Sequence, residues 1–191
     1  MTLLKIAQIG HPLLRGRSRE ITRDELAAAT TQRFIDDLVE TMRDAAGAGL
    51  AAPQVHNPIR VCALEISANP RYPYLPEVPL KILVNPVILP LSEETFESYE
   101  GCLSVPNLRG VVRRAAEIEL TYWDRTGEAH SERVRGITAG VYQHEVDHLD
   151  GKLFVDRVHD PQTLTTWAEF ERFHRGAYLD KIRPFVERTG G

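Results

Sequence analysis

Between Thr95 and Arg135 the chain alternates with the two-residue period of β-strands, and at Thr138 the period lengthens to that of a helix. Thr95–Tyr99 and the stretch from Val111 to Asp124 read as strands, with Ile118, Leu120 and Tyr122 on one face. Asp124–Gly127 (DRTG) supplies a hairpin turn into Glu128–Arg135. From Thr138 onward, Val141, Val146 and Leu149 fall on one side of a helix that Gly151 stops. Strands followed by a helix define a mixed α+β domain.

The remaining segments fit that class. Thr22 with Glu25 three residues later makes a capping box, and Leu26, Phe34, Ile35, Leu38, Val39 and Met42 recur at helical spacing, with the helix ending at Gly47. Ile59–Ile66 (IRVCALEI) is short, apolar and β-branched, so it reads as a strand, and Lys81–Val84 begins another. Between them, residues 67–79 (SANPRYPYLPEVP) form a proline-rich surface loop. After Pro161, the positions of Leu164, Trp167, Phe170, Phe173 and Tyr178 predict a C-terminal amphipathic helix over about 161–178 that covers the sheet. With no internal repeat, 191 residues suffice for one core, and residues 1–191 are expected to form a single domain.

Charge and hydropathy narrow the partners. The 23 basic and 27 acidic residues are interspersed and sum to -4, so no broad field marks DNA or a membrane surface as partner. No apolar run approaches the roughly 20 residues of a membrane span. The opening MTLLKIAQIGHPLLRGRSRE lacks the basic and apolar regions of a secretory signal, so a cytoplasmic setting is expected. Cys62 and Cys102 are too few for a disulfide framework.

The chemistry concentrates in QHEVDHLDG, residues 143–151. On a helix His144 and His148 lie one turn apart on one face and aim two imidazoles at a common point. Glu145 lies about 100° around the axis, within reach of a water on a metal without itself binding the ion. A catalytic metal needs a third protein ligand and an open position. The extended HExxHxxGxxH pattern matches as far as Gly151 and then places Phe154 where its third histidine belongs, so Phe154 reads as core instead. Upstream, Cys102 in EGCLS is either a small buried hydrophobe or a thiolate ligand for zinc or ferrous iron. Cys62, in its apolar strand, reads as core. GAGLAAPQ, residues 47–54, is either a connector or a loop whose glycines expose main-chain amides beside the neutral amide of Gln54; it lacks the spacing of a phosphate loop.

Taken in this order, GAGLAAPQ, EGCLS and QHEVDH resemble the three signature motifs of peptide deformylases. IGHPLLR, VNP at Val84–Pro86, SVPNLRGVVRR and GKLFVDR extend the resemblance over most of residues 6–157. It implies an α+β fold with antiparallel sheets surrounding a central HExxH helix, and hydrolytic removal of the formyl group from formyl-methionyl nascent chains. It also implies one divalent metal held by Cys102, His144 and His148, ferrous iron in the cell, with zinc, nickel or cobalt able to replace it. Glu145 becomes the base, and the Gln54 amide with the Leu103 backbone N–H the oxyanion donors. Ala48, Gly49 and Gly101 are expected to pair with an extended peptide, Gly140 and Val141 to line the methionine pocket, and Arg109 to flank the peptide path. Glu100 is expected either to support the ligands, paired with Arg114, or, like Arg109, to form only a surface ion pair. The implied partners are N-formylmethionyl nascent peptides, with transient ribosome contact, in a bacterial-type cytoplasm or an organelle of bacterial descent. Ala48 and Gly140 stand where larger residues are common and predict a roomier pocket, and Asn107 stands where glycine is frequent.

Overall fold

The computed structural model describes residues 2–67 and 76–190. The Thr22–Glu25 capping box forms in full and starts α1 (Arg23–Ala27). The helix expected to continue to Gly47 instead breaks at Ala28, which is extended, and restarts as α2 (Ala29–Asp44). The break follows from geometry. At about 100° per residue, Leu26 would point to the side opposite the stripe of Ile35, Leu38, Val39 and Met42 in one continuous helix. With the kink, all five share one core. α2 ends three residues before Gly47, because Ala46 takes the left-handed turn (φ 51°). Gly47 then donates its N–H to the Met42 carbonyl at 2.9 Å, closing a Schellman-type stop.

β1 (Gly49–Ala51), β2 (Val61–Ile66), β3 (Val78–Pro90), β6 (Glu117–Trp123) and β7 (Ala129–Arg135) make an antiparallel sheet in the order β1-β2-β3-β6-β7. β4 (Thr95–Cys102), β5 (Val105–Ala115) and the short β8 (Thr165–Thr166) form a second antiparallel sheet in the order β4-β5-β8. Most of the expected proline-rich loop, residues 68–75, lies outside the described residues, while its last two, Val78 and Pro79, already belong to β3. Ile118, Leu120 and Tyr122 are buried on one face, as their alternation predicts.

α3 (Gly136–Leu149) lies between the sheets. Ala139, Tyr142 and Leu149 pack against Cys62, Leu64, Leu83, Ile118 and Leu120 of the larger sheet. On its other side Ile137 joins Phe96, Phe170 and Tyr178. Gln143 fixes the helix to β5, accepting from the Ala115 N–H at 3.0 Å and donating to the Ala115 carbonyl at 2.9 Å. Because both sides are covered, Glu145, Asp147 and His148 are buried along with the apolar residues. Burying such groups is unfavourable unless each finds a partner, so the helix needs a specific polar network around it.

The C-terminal helix differs from its expected span. Residues 161–163 form a 3-10 turn and Thr165–Thr166 are strand β8, so the helix begins only at Trp167, capped by the Thr166 hydroxyl. α4 (Trp167–Glu169) passes through a π-helical turn (Phe170–His174) into α5 (Arg175–Thr189). It continues past Tyr178 because Ile182, Phe185 and Val186, at i+4, i+7 and i+8, prolong the same apolar face. No described helix is long and apolar enough to cross a membrane.

Gly140 corrects another expectation. A Cβ there would stand 2.8 Å from Cζ of Phe96, so the space left by the missing side chain is filled by that ring and does not enlarge a pocket. Gly140→Ala is therefore expected to destabilise the fold by about 1–3 kcal/mol through overpacking. Chemical denaturation checks this, and an unchanged midpoint would show that Phe96 moves aside freely.

Candidate active site

Among the expected site residues, all except His148 line one cavity of about 420 Å³. His148, 2% exposed, lies behind the sulfur of Cys102, with Nε2 at 3.3 Å from Sγ. One donor atom from each of Cys102, His144 and His148 lies within 4.8 Å of the others. These donors come from the end of β4 and from successive turns of α3. His144 gives Nδ1 to the Glu100 carboxylate at 2.8 Å, which leaves Nε2 for the site. Such carboxylate–imidazole pairs fix the ring orientation of metal-binding histidines.

Glu100 also receives two hydrogen bonds from Arg114, at 2.7 and 2.8 Å, so this pair is buried rather than a surface contact. Arg114 reaches on to Asp147 at 2.5 Å, and Arg157 meets the same carboxylate at 3.0 and 2.5 Å. No local sequence pattern marks Asp147 or Arg157, whose pairing depends on β5 and the segment after α3 meeting in space. Burial raises the Glu100 carboxyl, but the Arg114 charge and hydrogen bonds more than offset this and bring it down to about 2.

The electrostatics favour a metal site. Burial alone would raise the Cys102 thiol, yet the His148 charge and the hydrogen bonds from both histidines hold it well below the ordinary thiol range, toward the thiolate that binds metals. Burial pushes the Glu145 carboxyl upward, and its Oε2 has no hydrogen-bond partner among the described residues. A tetrahedral zinc with ordinary bond lengths spaces sulfur and nitrogen ligands by about 3.5 Å, close to the Cys102–His148 separation. One thiolate and two imidazoles beside an unsatisfied carboxylate therefore fit a divalent ion that keeps an open position.

The glycine loop contributes Gly47, Ala48, Gly49 and Gln54 to the cavity wall. A Cβ on Gly49 would stand 2.4 Å from the Glu145 carboxyl, so glycine is required for β1 to pass this close. The Ala48 carbonyl is already used by the Glu65 N–H at 3.0 Å. Gln54, 1% exposed, accepts from the Ala51 N–H at 2.8 Å and donates through Nε2 to Ser104 Oγ at 3.0 Å. The same nitrogen lies 3.6 Å from Cys102 Sγ. Leu103 follows at the turn between β4 and β5 and lines the cavity. Val141 and Gly140 line it from α3, and Arg109 from β5, its guanidinium buried and donating to the Tyr99 carbonyl at 2.6 Å. Cys62 is fully buried in the core, and burial raises its thiol well above the ordinary range. Phe154 is likewise core.

Residues 3–163 match the family described as polypeptide deformylase. The chain is 41% identical to peptide deformylase 2 of a Nostoc species over 169 residues, covering 88% of this chain and 93% of that protein. It is 43% identical to a peptide deformylase of Leptospira biflexa, covering 83% and 89%. Among solved structures, a Met-Ala-Ser-bound class I type b peptide deformylase from Acinetobacter baumannii superposes with a TM-score of 0.79 at 39% identity, over 82% of this chain and 99% of that one. A peptide deformylase from Thermotoga maritima gives 0.73 at 33%, over 84% and 100%. The chain thus belongs to the polypeptide deformylase family, metal-dependent hydrolases that remove the N-formyl group from nascent polypeptides.

Proposed function

We propose that Cys102, His144 and His148 hold one divalent ion, ferrous iron in the cell with zinc, nickel or cobalt able to replace it, and that Glu145 moves the protons during hydrolysis of formyl-methionyl peptides. The observation that carries this reading is the convergence of the three donors beside a buried carboxylate with an unsatisfied oxygen. An ion held there would supply Lewis acidity, lowering the ionisation of water to near neutrality.

The chain's own groups do the rest. Glu145 accepts the proton of the attacking water and returns it to the departing amine, leaving formate and a free N-terminus. The Gln54 Nε2 hydrogen that points to Cys102 Sγ at 3.6 Å turns to the formyl oxygen, and with the Leu103 N–H donates to it as negative charge grows there. β1 and β4 are terminal strands of their sheets, and both line the cavity. Their free edges at Gly49 and Gly101 receive the peptide as an added strand, which is indifferent to sequence. Val141 and the backbone at Ala48 and Gly140 bound the methionine side chain. The setting is a bacterial-type cytoplasm, where formylated chains emerge from the ribosome.

Formate release from formyl-Met-Ala-Ser by anaerobically purified protein tests the reading; the Met-Ala-Ser bound by the Acinetobacter relative supports that choice of probe. Cleavage of internal peptide bonds without formate would overturn it in favour of a metallopeptidase. Gln54→Ala is expected to lower kcat by about 10²–10³-fold at unchanged metal content. An unaltered kcat would remove Gln54 from the reaction.

A further inference from the structure

We infer that Trp167 is a specificity-determining residue that reads the side chains following formyl-methionine; this rests on the reading of the cavity as the formyl-peptide site. Trp167 lies beyond residue 163, where the family match ends, yet it lines the same cavity as Cys102 and Glu145. Several independent contacts hold it there. Thr165 and Thr166 pair with Arg109 and Leu108 of β5, which delivers the next residue to the cavity rim. The Trp167 N–H donates to Asn107 Oδ1 at 3.3 Å. The Arg109 guanidinium carbon lies 4.3 Å from the Trp167 ring centroid and 4.2 Å from that of Phe170, and the two rings are within 13° of parallel.

Asn107 adopts a left-handed backbone (φ 56°), where glycine is the less strained occupant. Glycine, however, has no side chain to meet the Trp167 N–H. The asparagine and the tryptophan beyond the matched region therefore account for each other: one tolerates the turn and fixes the position of the other. Arg109 faces Gly101 across the β4–β5 pair and stands one strand behind the edge offered to the peptide, and Trp167, following β8 on the far side of β5, lays its ring against the Arg109 guanidinium. An indole held against a fixed guanidinium, in a cavity wall that also includes Leu108 and Tyr99, suits an aromatic or bulky apolar side chain and disfavours a cationic one.

The test measures kcat and KM for formyl-Met-Ala-Ser, formyl-Met-Phe-Ser, formyl-Met-Ala-Phe and formyl-Met-Lys-Ser. At least one phenylalanine peptide is expected to show a KM about 3–10-fold below that of formyl-Met-Ala-Ser. Trp167→Ala erases that advantage, with kcat on formyl-Met-Ala-Ser changing less than about twofold, and Trp167→Phe restores most of it. Asn107→Gly shifts KM in the same direction as Trp167→Ala. As a second readout, Trp123→Phe leaves Trp167 as the sole tryptophan, and its emission is expected to shift when Met-Phe-Ser or Met-Ala-Phe binds. A phenylalanine advantage that is absent from the parent protein or survives in Trp167→Ala overturns the inference, as does unchanged emission while calorimetry shows saturable peptide binding. If no formyl peptide releases formate, the reading of the site itself has failed; normal release with no dependence on Trp167 overturns only the present inference.

Discussion

Glu145→Gln is expected to fold, take up one metal ion and turn over formyl-Met-Ala-Ser about 10²–10⁴-fold more slowly than the parent protein. The amide keeps the shape of the carboxyl, so the close approach of Gly49 and the packing of α3 remain. What it loses is a group that accepts a proton from water and delivers it to the amine. In the parent protein, burial raises this carboxyl above its ordinary range, which makes it a stronger base and readies it to act as an acid once protonated. Steady-state formate release with metal analysis on the same sample checks the prediction. Normal turnover at full metal content would mean that another group moves the proton.

Arg114→Met is expected to be the most destabilising single change near the site. The guanidinium, 3% exposed, is shared by Glu100 and Asp147, themselves 10% and 8% exposed. Among the described residues, removing it leaves Glu100 with only the His144 imidazole and Asp147 with only Arg157. Breaking a buried pair in this way costs about 3–5 kcal/mol. For a chain of this size that lowers Tm by roughly 6–20 °C. Metal affinity should fall about 10–100-fold as well, since Glu100 no longer holds His144 in place. Arg114→Lys should recover only part of either loss, because an ammonium cannot make the two-pronged contact.

The same pair sets an acid limit. Folded Glu100 titrates near 2 against an ordinary 4.5, so its stabilisation is fully present above pH 4.5 and is lost as pH falls toward 2. In Arg114→Met that dependence should flatten, which acid titration followed by circular dichroism reads directly. A Tm within 2 °C of the parent protein, less than about 1 kcal/mol, would show that the network is dispensable.

Local rules made much of this site readable. The i, i+4 spacing placed His144 and His148 on one face, and the failure of the longer motif at Phe154 directed attention away from the downstream segment. Cys102 was different: spacing left it open between core and ligand, and only resemblance to the family selected it. Its convergence with α3 depends on how the two sheets close around the helix, a property of no short window. The sequence marks Gly49 as a source of amides, whereas its second task, making room for Glu145, depends on which helix lies above β1. Gly140 departs from its expected effect for the same reason, since the ring filling its space comes from Phe96, distant in sequence. The break at Ala28 was in principle visible, because Leu26 is out of phase with the α2 stripe. So was the continuation of the C-terminal helix, because Ile182, Phe185 and Val186 keep its period.

The central claim is that one sulfur and two imidazoles, supplied by β4 and α3, bind the same ion. X-ray absorption at the metal edge of zinc-loaded protein tests it most directly. The account predicts a single sulfur near 2.3 Å and imidazole nitrogens near 2.0–2.1 Å, about one zinc per chain. A coordination shell of nitrogen and oxygen alone would contradict it.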